Sequence, residues 1–179
     1  MSTGQKVKCV FLDRDGVLNV DLNDYLYNLD DLVIPEGVPE ALKMLKAAGY
    51  LLVVITNQAG IAKGRYTSKE VYMIHDAIQT VSDRVIDAIY YAPYHPEFSG
   101  NSLSRKPGTL MLEKATAKYN IDLEKSWMVG DRDGDMQAGK KMGVKTIHIL
   151  PSPETSTGDF HAQSLWEAAK LILFNSMNE

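Results

Sequence analysis

The chain has 179 residues, 45% hydrophobic and 23% charged, with a formal net charge of −4 at pH 7. That is the make-up of one ordinary globular domain able to bury roughly 70% of its unfolded surface, and its mildly acidic balance gives no field for DNA, RNA or an anionic membrane. The single cysteine, Cys9, excludes a disulfide framework within the chain; no window of ~18 apolar residues could span a bilayer, and the polar start MSTGQKVK has no apolar signal core, so a cytoplasmic protein is expected.

The first element is VKCVFL (7–12), a continuous apolar run that reads as a buried strand and ends in Asp13-Arg14-Asp15-Gly16. IPEGVPEALKMLKAAGY (34–50) follows as a helix, with Val38, Leu42 and Leu45 on one face and Gly49 at its end. LLVVIT (51–56) is a second buried strand. Thr67 and Glu70 form a capping box for a helix continued by Val71, Ile74, Ile78 and Val81. DAIYYAPY (87–94) is a third strand, and Pro107 opens a helix running to about Tyr119. SWMVG (126–130) is a fourth strand, DMQAGKKMG (135–143) a short helix and VKTIHIL (144–150) a fifth strand. Residues 151–158 read as a loop. A last helix, about Ser164 to Phe174, has its own box in Ser164 and Glu167 and a core-facing stripe of Leu165, Ala168, Ala169 and Ile172. Continuous apolar strands alternating with helices predict βαβ units: one α/β domain over residues 1–179, a doubly wound, Rossmann-like parallel sheet with helices on both faces.

Ligands of such sheets bind beyond the carboxyl ends of the strands. Those ends carry Asp13 and Asp15 on the first strand, Thr56-Asn57-Gln58 on the second, Arg105-Lys106 after the third, and Asp131, Asp133 and Asp135 on the fourth. Taken singly, each aspartate also suits a cap or turn, Lys106 a surface charge and Thr56 a strand residue. GDRDGD has the composition of a calcium loop but lacks the terminal acid at EF-hand spacing. Together, in this order, the groups suit phosphoryl transfer. Clustered carboxylates need a cation, and oxygen-only ligands favour Mg²⁺. An aspartate beside it can attack phosphorus. A second acid two residues on can serve the leaving alcohol and then water, while a hydroxyl and an ammonium hold the equatorial oxygens.

The DxDG at 13–16, the strand-end Thr56, Lys106 and the GDxxxD at 130–135 together resemble the four motifs of haloacid dehalogenase (HAD) superfamily phosphatases, subfamily IIIA. The resemblance implies Asp13 as nucleophile and Asp15 as general acid/base. It implies that Thr56 and Lys106 bind the phosphoryl group, and that Asp131 ligates Mg²⁺ with the Asp13 carboxylate and the Asp15 carbonyl, supported from behind by Asp135. The intervals between motifs leave no room for a separate cap domain, so a capless member is expected.

Finer stretches, DRDGVLNVD, TNQAGIAKGRYT, YYAPYHP, RKPG and MVGDRDGDMQAGKKMGV, look most like the bacterial D-glycero-D-manno-heptose 1,7-bisphosphate phosphatases. That likeness implies substrate contacts from Asp21, Asn57, Gln58, Arg105 and Arg132, and hydrolysis of the C7 phosphate on the way to nucleotide-activated heptose and lipopolysaccharide. The partner would be a small phosphorylated sugar, with neither nucleic acid nor membrane, for a monomer or small homo-oligomer. Histidinol phosphate or another small phosphorylated metabolite is the alternative substrate. A non-catalytic phosphoacceptor domain is the alternative class, and it would have no use for an acid at Asp15. Both phosphatase subgroups resembled carry a zinc in the loop before Arg-Lys, on cysteine-rich pairs. Here those pairs read Ala92-Pro93-Tyr94 and Ser102-Leu103-Ser104, and His95 alone cannot complete a four-ligand site. No structural zinc is expected, with the loop held instead by packing of Tyr94, Pro96 and Phe98.

Overall fold

The computed structural model describes residues 5–177; residues 1–4 of the polar start lie outside them. Six parallel strands stand in the order β3-β2-β1-β4-β5-β6. They are β1 (Cys9–Leu12), β2 (Leu51–Asn57), β3 (Ala88–Ala92), β4 (Trp127–Gly130), β5 (Lys145–Ile149) and β6 (Phe160–Ala162). The principal helices are α1 (Val38–Ala47), α2 (Ser68–Val81), α4 (Leu110–Tyr119), α5 (Asp133–Met142) and α6 (Leu165–Ser176), with a single turn, α3 (Pro96–Ser99), after β3. None of the described helices is long and apolar enough to cross a membrane.

The apolar run of β1 is explained by burial on both faces. Val10 and Leu12 pack into one core with Leu42 and Leu45 of α1, Ile74 and Ile78 of α2, and Ile172 of α6. Cys9 and Phe11 point into a second core with Met111 and Leu112 of α4 and Ala138 of α5. β1 lies between β2 and β4, so the chain leaves it in one direction and returns on its other side. That reversal opens the crevice at the carboxyl edge where an α/β sheet takes its ligand. Among the described residues no domain is inserted between the motif-bearing strand ends, as the short intervals predict.

Cys9 sits in this core with no exposed surface, and burial, then the charge of Asp87, pushes its thiol up. A thiol so placed is inert in the native state. A disulfide reagent should therefore leave it unmodified in native protein and take up one equivalent per chain only in denaturant; rapid native labelling would contradict the packing.

Several elements depart from the sequence expectation. The first helix begins at Val38, because Gly37 stands in the left-handed region at φ 82° and breaks continuity with residues 34–36. The fourth begins at Leu110 rather than Pro107: residues 105–108 form a turn, with the Gly108 N–H donating to the Arg105 carbonyl at 2.7 Å. The α2 capping box forms as expected. In α6 only half of one does, since Ser164 accepts the Glu167 N–H while the Glu167 carboxylate takes the Gln163 N–H instead. β6 went unpredicted within the final connection; its three residues are too few to show a pattern, and Asp159 docks them on β5 by accepting the N–H and hydroxyl of Thr146. In the loop after β3, Phe98 packs edge-on against His95 while remaining partly exposed, and hydrogen bonds add to the hold: His95 N–H to Ser99 Oγ at 2.9 Å, Ser102 with Ser104 at 2.8 Å, and Arg105 Nη1 to the Tyr94 carbonyl at 3.2 Å.

Candidate active site

The Asp13 N–H donates to the Val129 carbonyl at 2.9 Å, which fixes its backbone at the sheet edge between β1 and β4. Its carboxylate accepts the Arg14 N–H at 2.7 Å and faces the ammonium of Lys106, Oδ1 to Nζ 2.8 Å. Lys106 arrives from the segment after β3 and is buried. Its Nζ also reaches Asp135 Oδ1 at 2.6 Å and the Ile55 carbonyl at 2.6 Å, so three acceptors take its three donors. The Asn57 side chain brackets the Lys106 backbone, accepting its N–H at 3.0 Å and donating to its carbonyl at 3.1 Å. Asp135 in turn caps α5, accepting the Arg132 N–H at 3.1 Å. Two glycines make room: a Cβ on Gly16, whose φ is +79°, would fall 2.3 Å from Asp131 Oδ2, and one on Gly130 would fall 2.3 Å from the Asp135 Cβ.

Asp13, Asp131 and Asp135 offer oxygen atoms all within 4.8 Å of one another. Burial, then Asp135, pushes the Asp13 carboxyl up, against the pull of Lys106. Burial and Asp135 likewise push Asp131 up to about 6. Burial alone would depress Lys106, but Asp13 and Asp135 hold its pKa above the usual lysine range. Asp13 and Asp135 thus share one ammonium, Asp131 has as its cation among the described residues only Arg132 Nε at 3.8 Å, and Asp131 Oδ1 is buried with no hydrogen-bond partner. An all-oxygen set with an orphaned acceptor fits a hard metal cation, which would supply the missing positive charge.

Asp15 lies in the opposite environment. Burial would raise its pKa, but the guanidinium of Arg14 and hydrogen bonds from Arg14, Asn19 and Gln58 hold it below the usual carboxylate range. Arg14 Nη2 meets both Asp15 oxygens at 2.7 and 2.9 Å, Asn19 Nδ2 donates at 3.0 Å and Gln58 Nε2 at 3.1 Å. Strand alternation would turn Arg14 away from the two aspartates. The strand stops at Leu12, however; the N–H groups of Leu18 and Asn19 fold back on the Arg14 carbonyl, and the guanidinium is buried beside Asp15.

A cavity of about 620 Å³ opens over this edge. Of the side chains singled out at the strand ends, all line it except Thr56, Asp131 and Asp133. Asp131 belongs to the carboxylate cluster beside the wall. Thr56 is fully buried, its hydroxyl accepting Gln58 Nε2 at 2.9 Å, which leaves its own proton to donate. Gln58 also accepts the Tyr66 hydroxyl at 2.8 Å, and Asp21 bridges to Arg132 at 2.6 Å. The structure adds Asn19, Lys63 and Tyr66 to the site. Asn19, a polar residue inside the apolar VLNV, carried a signal; Lys63 and Tyr66 lie within the TNQAGIAKGRYT stretch, but only the fold shows that they reach the cavity.

A capless doubly wound sheet with this carboxylate and lysine cluster at its switch point defines a HAD-like hydrolase. The HAD-hydrolase-like family profile matches residues 103–168. D-glycero-beta-D-manno-heptose-1,7-bisphosphate 7-phosphatase of Haemophilus ducreyi is 42% identical over 160 residues, covering 85% of this chain and 87% of that protein. The D-glycero-alpha-D-manno-heptose-1,7-bisphosphate 7-phosphatase of Photorhabdus laumondii is 35% identical over 179 residues, covering 93% and 97%. Among solved structures, D,D-heptose 1,7-bisphosphate phosphatase from B. bronchiseptica, complexed with magnesium and phosphate, superposes with a TM-score of 0.83 at 28% identity, covering 94% of this chain and 99% of that one. The chain belongs to the family of these heptose bisphosphate phosphatases.

Proposed function

We propose that the protein hydrolyses the C7 phosphate of D-glycero-D-manno-heptose 1,7-bisphosphate, as a Mg²⁺-dependent phosphatase and a step toward nucleotide-activated heptose. The observation that carries this reading is the junction of one strand end with two carboxylates in opposite settings: Asp13 inside the acidic cluster on Lys106, Asp15 outside it on Arg14. Asp13, Asp131 and the Asp15 carbonyl would hold the cation, with Asp135 bracing Lys106 behind them. When bound, the cation would screen the carboxylates and draw charge from the phosphoryl oxygens. An Asp13 oxygen attacks phosphorus, the bond from phosphorus to the C7 oxygen breaks, and an aspartyl-phosphate forms on Asp13. Asp15 gives a proton to the departing alkoxide, then takes one from the water that attacks the aspartyl-phosphate, releasing phosphate and restoring Asp13. The resting setting of Asp15 favours the base half of this cycle; the acid half needs a proton taken up when substrate enters. Thr56 has a hydroxyl proton available for a phosphoryl oxygen, and Lys106 joins by exchanging one of its three acceptors. Asp21, Asn57, Gln58, Arg105 and Arg132 complete the sugar-facing wall.

The substrate assignment is tested by kcat/KM for both anomers of the heptose bisphosphate, histidinol phosphate and common sugar phosphates. A heptose bisphosphate anomer should lead by about tenfold or more; preference for histidinol phosphate would overturn the assignment, and a single phosphorylation without turnover would overturn the enzyme class. Metal analysis should find activity that depends on added Mg²⁺ and no stoichiometric zinc.

Asp15→Asn should lower kcat by about 10²-fold or more. It should also lower the urea midpoint, because the Arg14 guanidinium, 1% exposed, would face a neutral amide. With the Asp15 side chain 26% exposed to screening water, a cost of about 1–2 kcal/mol is expected rather than the full penalty of a buried unpaired charge. Full activity in this variant would remove Asp15 from the proton transfers.

A further inference from the structure

Gln58, just beyond the end of β2, is buried, and both polar atoms of its side chain are engaged. Its Nε2 carries two hydrogens and meets two acceptors, Asp15 Oδ2 at 3.1 Å and Thr56 Oγ1 at 2.9 Å. Its Oε1 accepts the Tyr66 hydroxyl at 2.8 Å. One amide therefore touches both the acid/base and a phosphoryl ligand, and Tyr66 holds its far side. The Tyr66 ring is itself fixed by packing. Tyr27 stacks on it at 5.9 Å between centroids, Tyr25 meets it edge-on at 5.7 Å, and a Cβ on Gly60 would fall 2.1 Å from its Cε1. Burial pushes the Tyr66 phenol up to about 12, so the hydroxyl keeps its proton.

An amide in such a place has two orientations that exchange its oxygen and its NH₂. Against an ionised Asp15 the choice is settled, because a carboxylate accepts hydrogen bonds and repels an oxygen. A protonated Asp15 removes that preference, since a carboxylic acid can donate to an amide oxygen as well as to a leaving group. We propose that Tyr66 is a positioning residue: its hydroxyl keeps the Gln58 NH₂ toward Asp15 and Thr56 while Asp15 carries the proton, so that this proton goes to the departing alkoxide. The proposal rests on the phosphatase reading above and adds a residue to it. Were the amide turned over, Oε1 would accept from Asp15 and from the Thr56 hydroxyl, and both donors would be lost to the substrate. The Tyr66 proton would at the same time lose its buried acceptor, which opposes the turn. In the base half of the cycle Asp15 is ionised and orients the amide unaided, so Tyr66 serves the acid half.

The test compares kcat/KM of wild type and Tyr66→Phe on two substrates, since that ratio reports the steps up to phosphoryl transfer. Phenylalanine keeps the ring and its packing. With heptose 1,7-bisphosphate, whose alkoxide needs a proton, kcat/KM should fall about five- to tenfold, the worth of one hydrogen bond. With p-nitrophenyl phosphate, whose phenolate departs without one, it should fall about twofold or less. Equal losses on both substrates would make Tyr66 a prop for the pocket and overturn the proposal, as would an unaltered rate with the bisphosphate. The amide is read separately by NMR of protein labelled with ¹⁵N-glutamine, its signal identified by its loss in Gln58→Glu. In Asp15→Asn protein, where the neighbour is neutral as in the acid form, adding Tyr66→Phe should speed exchange of the Gln58 Nε2 protons with water about fivefold or more; unaltered exchange overturns the proposal. Wild-type protein that releases phosphate from neither substrate, with exchange that still depends on Tyr66, would overturn the phosphatase reading and leave the hold of Tyr66 on the amide standing.

Discussion

Asp13→Asn is expected to lose at least about 10⁴-fold in turnover and, without metal, to melt roughly 2–4 °C higher than the wild type, about 1 kcal/mol for a chain of this length. The first effect follows from the chemistry, since a carboxamide cannot form the acyl phosphate, and the neighbouring Asp135 is tied to Lys106 and to the Arg132 N–H. The second follows from the resting electrostatics. Burial and the neighbouring Asp135 raise the Asp13 pKa, so the ionised carboxylate is a cost to the folded state. Asparagine has nearly the same shape and no charge, and it leaves Lys106 paired with Asp135 at 2.6 Å. The lost Lys106–Asp13 contact works against this gain, which is why the rise is small. Metal should reverse the order: Mg²⁺ should raise the wild-type melting temperature by more than that of Asp13→Asn, because the cation gains the most where the carboxylates are most crowded. Phosphate release and melting curves with Mg²⁺ or chelator measure both. Retained turnover would place the nucleophile elsewhere, and a lower metal-free melting temperature would mean that Lys106 already compensates Asp13 in full.

The parts of this site legible in the sequence are those encoded by burial and by strand ends. The run 7–12 is apolar throughout because both faces of β1 are covered, and for the same reason the charged residues that follow it stand out. The helix over α2 was equally plain, since a capping box and a single apolar stripe agree on one answer. What the pattern could not carry is direction after a strand ends. Arg14 follows Asp13 by one residue, and period-two reasoning sends it to the other side. The chain leaves extended geometry at that point, and the Gly16 turn brings Arg14 beside Asp15. Asn57 and Gln58 show a related limit. Their position at the β2 edge was readable, but their present partners are the Lys106 backbone and the Thr56, Asp15 and Tyr66 side chains, contacts that span up to 49 residues. The sequence thus marks which residues reach the site more clearly than which of them brace one another there.

Lys106→Met should destabilise the fold by about 3–5 kcal/mol, the usual consequence of deleting one partner from a buried charge cluster, and lower turnover by about 10²-fold or more. Lys106 is 3% exposed and is the cation between Asp13 and Asp135, whose side chains are 9% and 2% exposed. Methionine keeps much of its volume, so lost packing is a minor part of the cost. Two carboxylates would then face each other without an ammonium, and the Ile55 carbonyl would lose its Nζ donor. The origin of the cost can be separated by a second substitution. If unpaired charge dominates, Lys106→Met with Asp135→Asn should be more stable than Lys106→Met alone, with a coupling in the range of about 0.5–3 kcal/mol; if packing dominates, the two losses should add. Mg²⁺ should likewise restore more stability to Lys106→Met than it adds to the wild type, because it enters among the same oxygens. Turnover should recover in neither case: a second cation at the carboxylates relieves their repulsion but cannot donate hydrogen bonds to the phosphoryl oxygens from the side of the crevice that Lys106 occupies. Recovery of full activity with Mg²⁺ alone would reduce Lys106 to a structural counter-ion and leave Thr56 to hold the phosphoryl group.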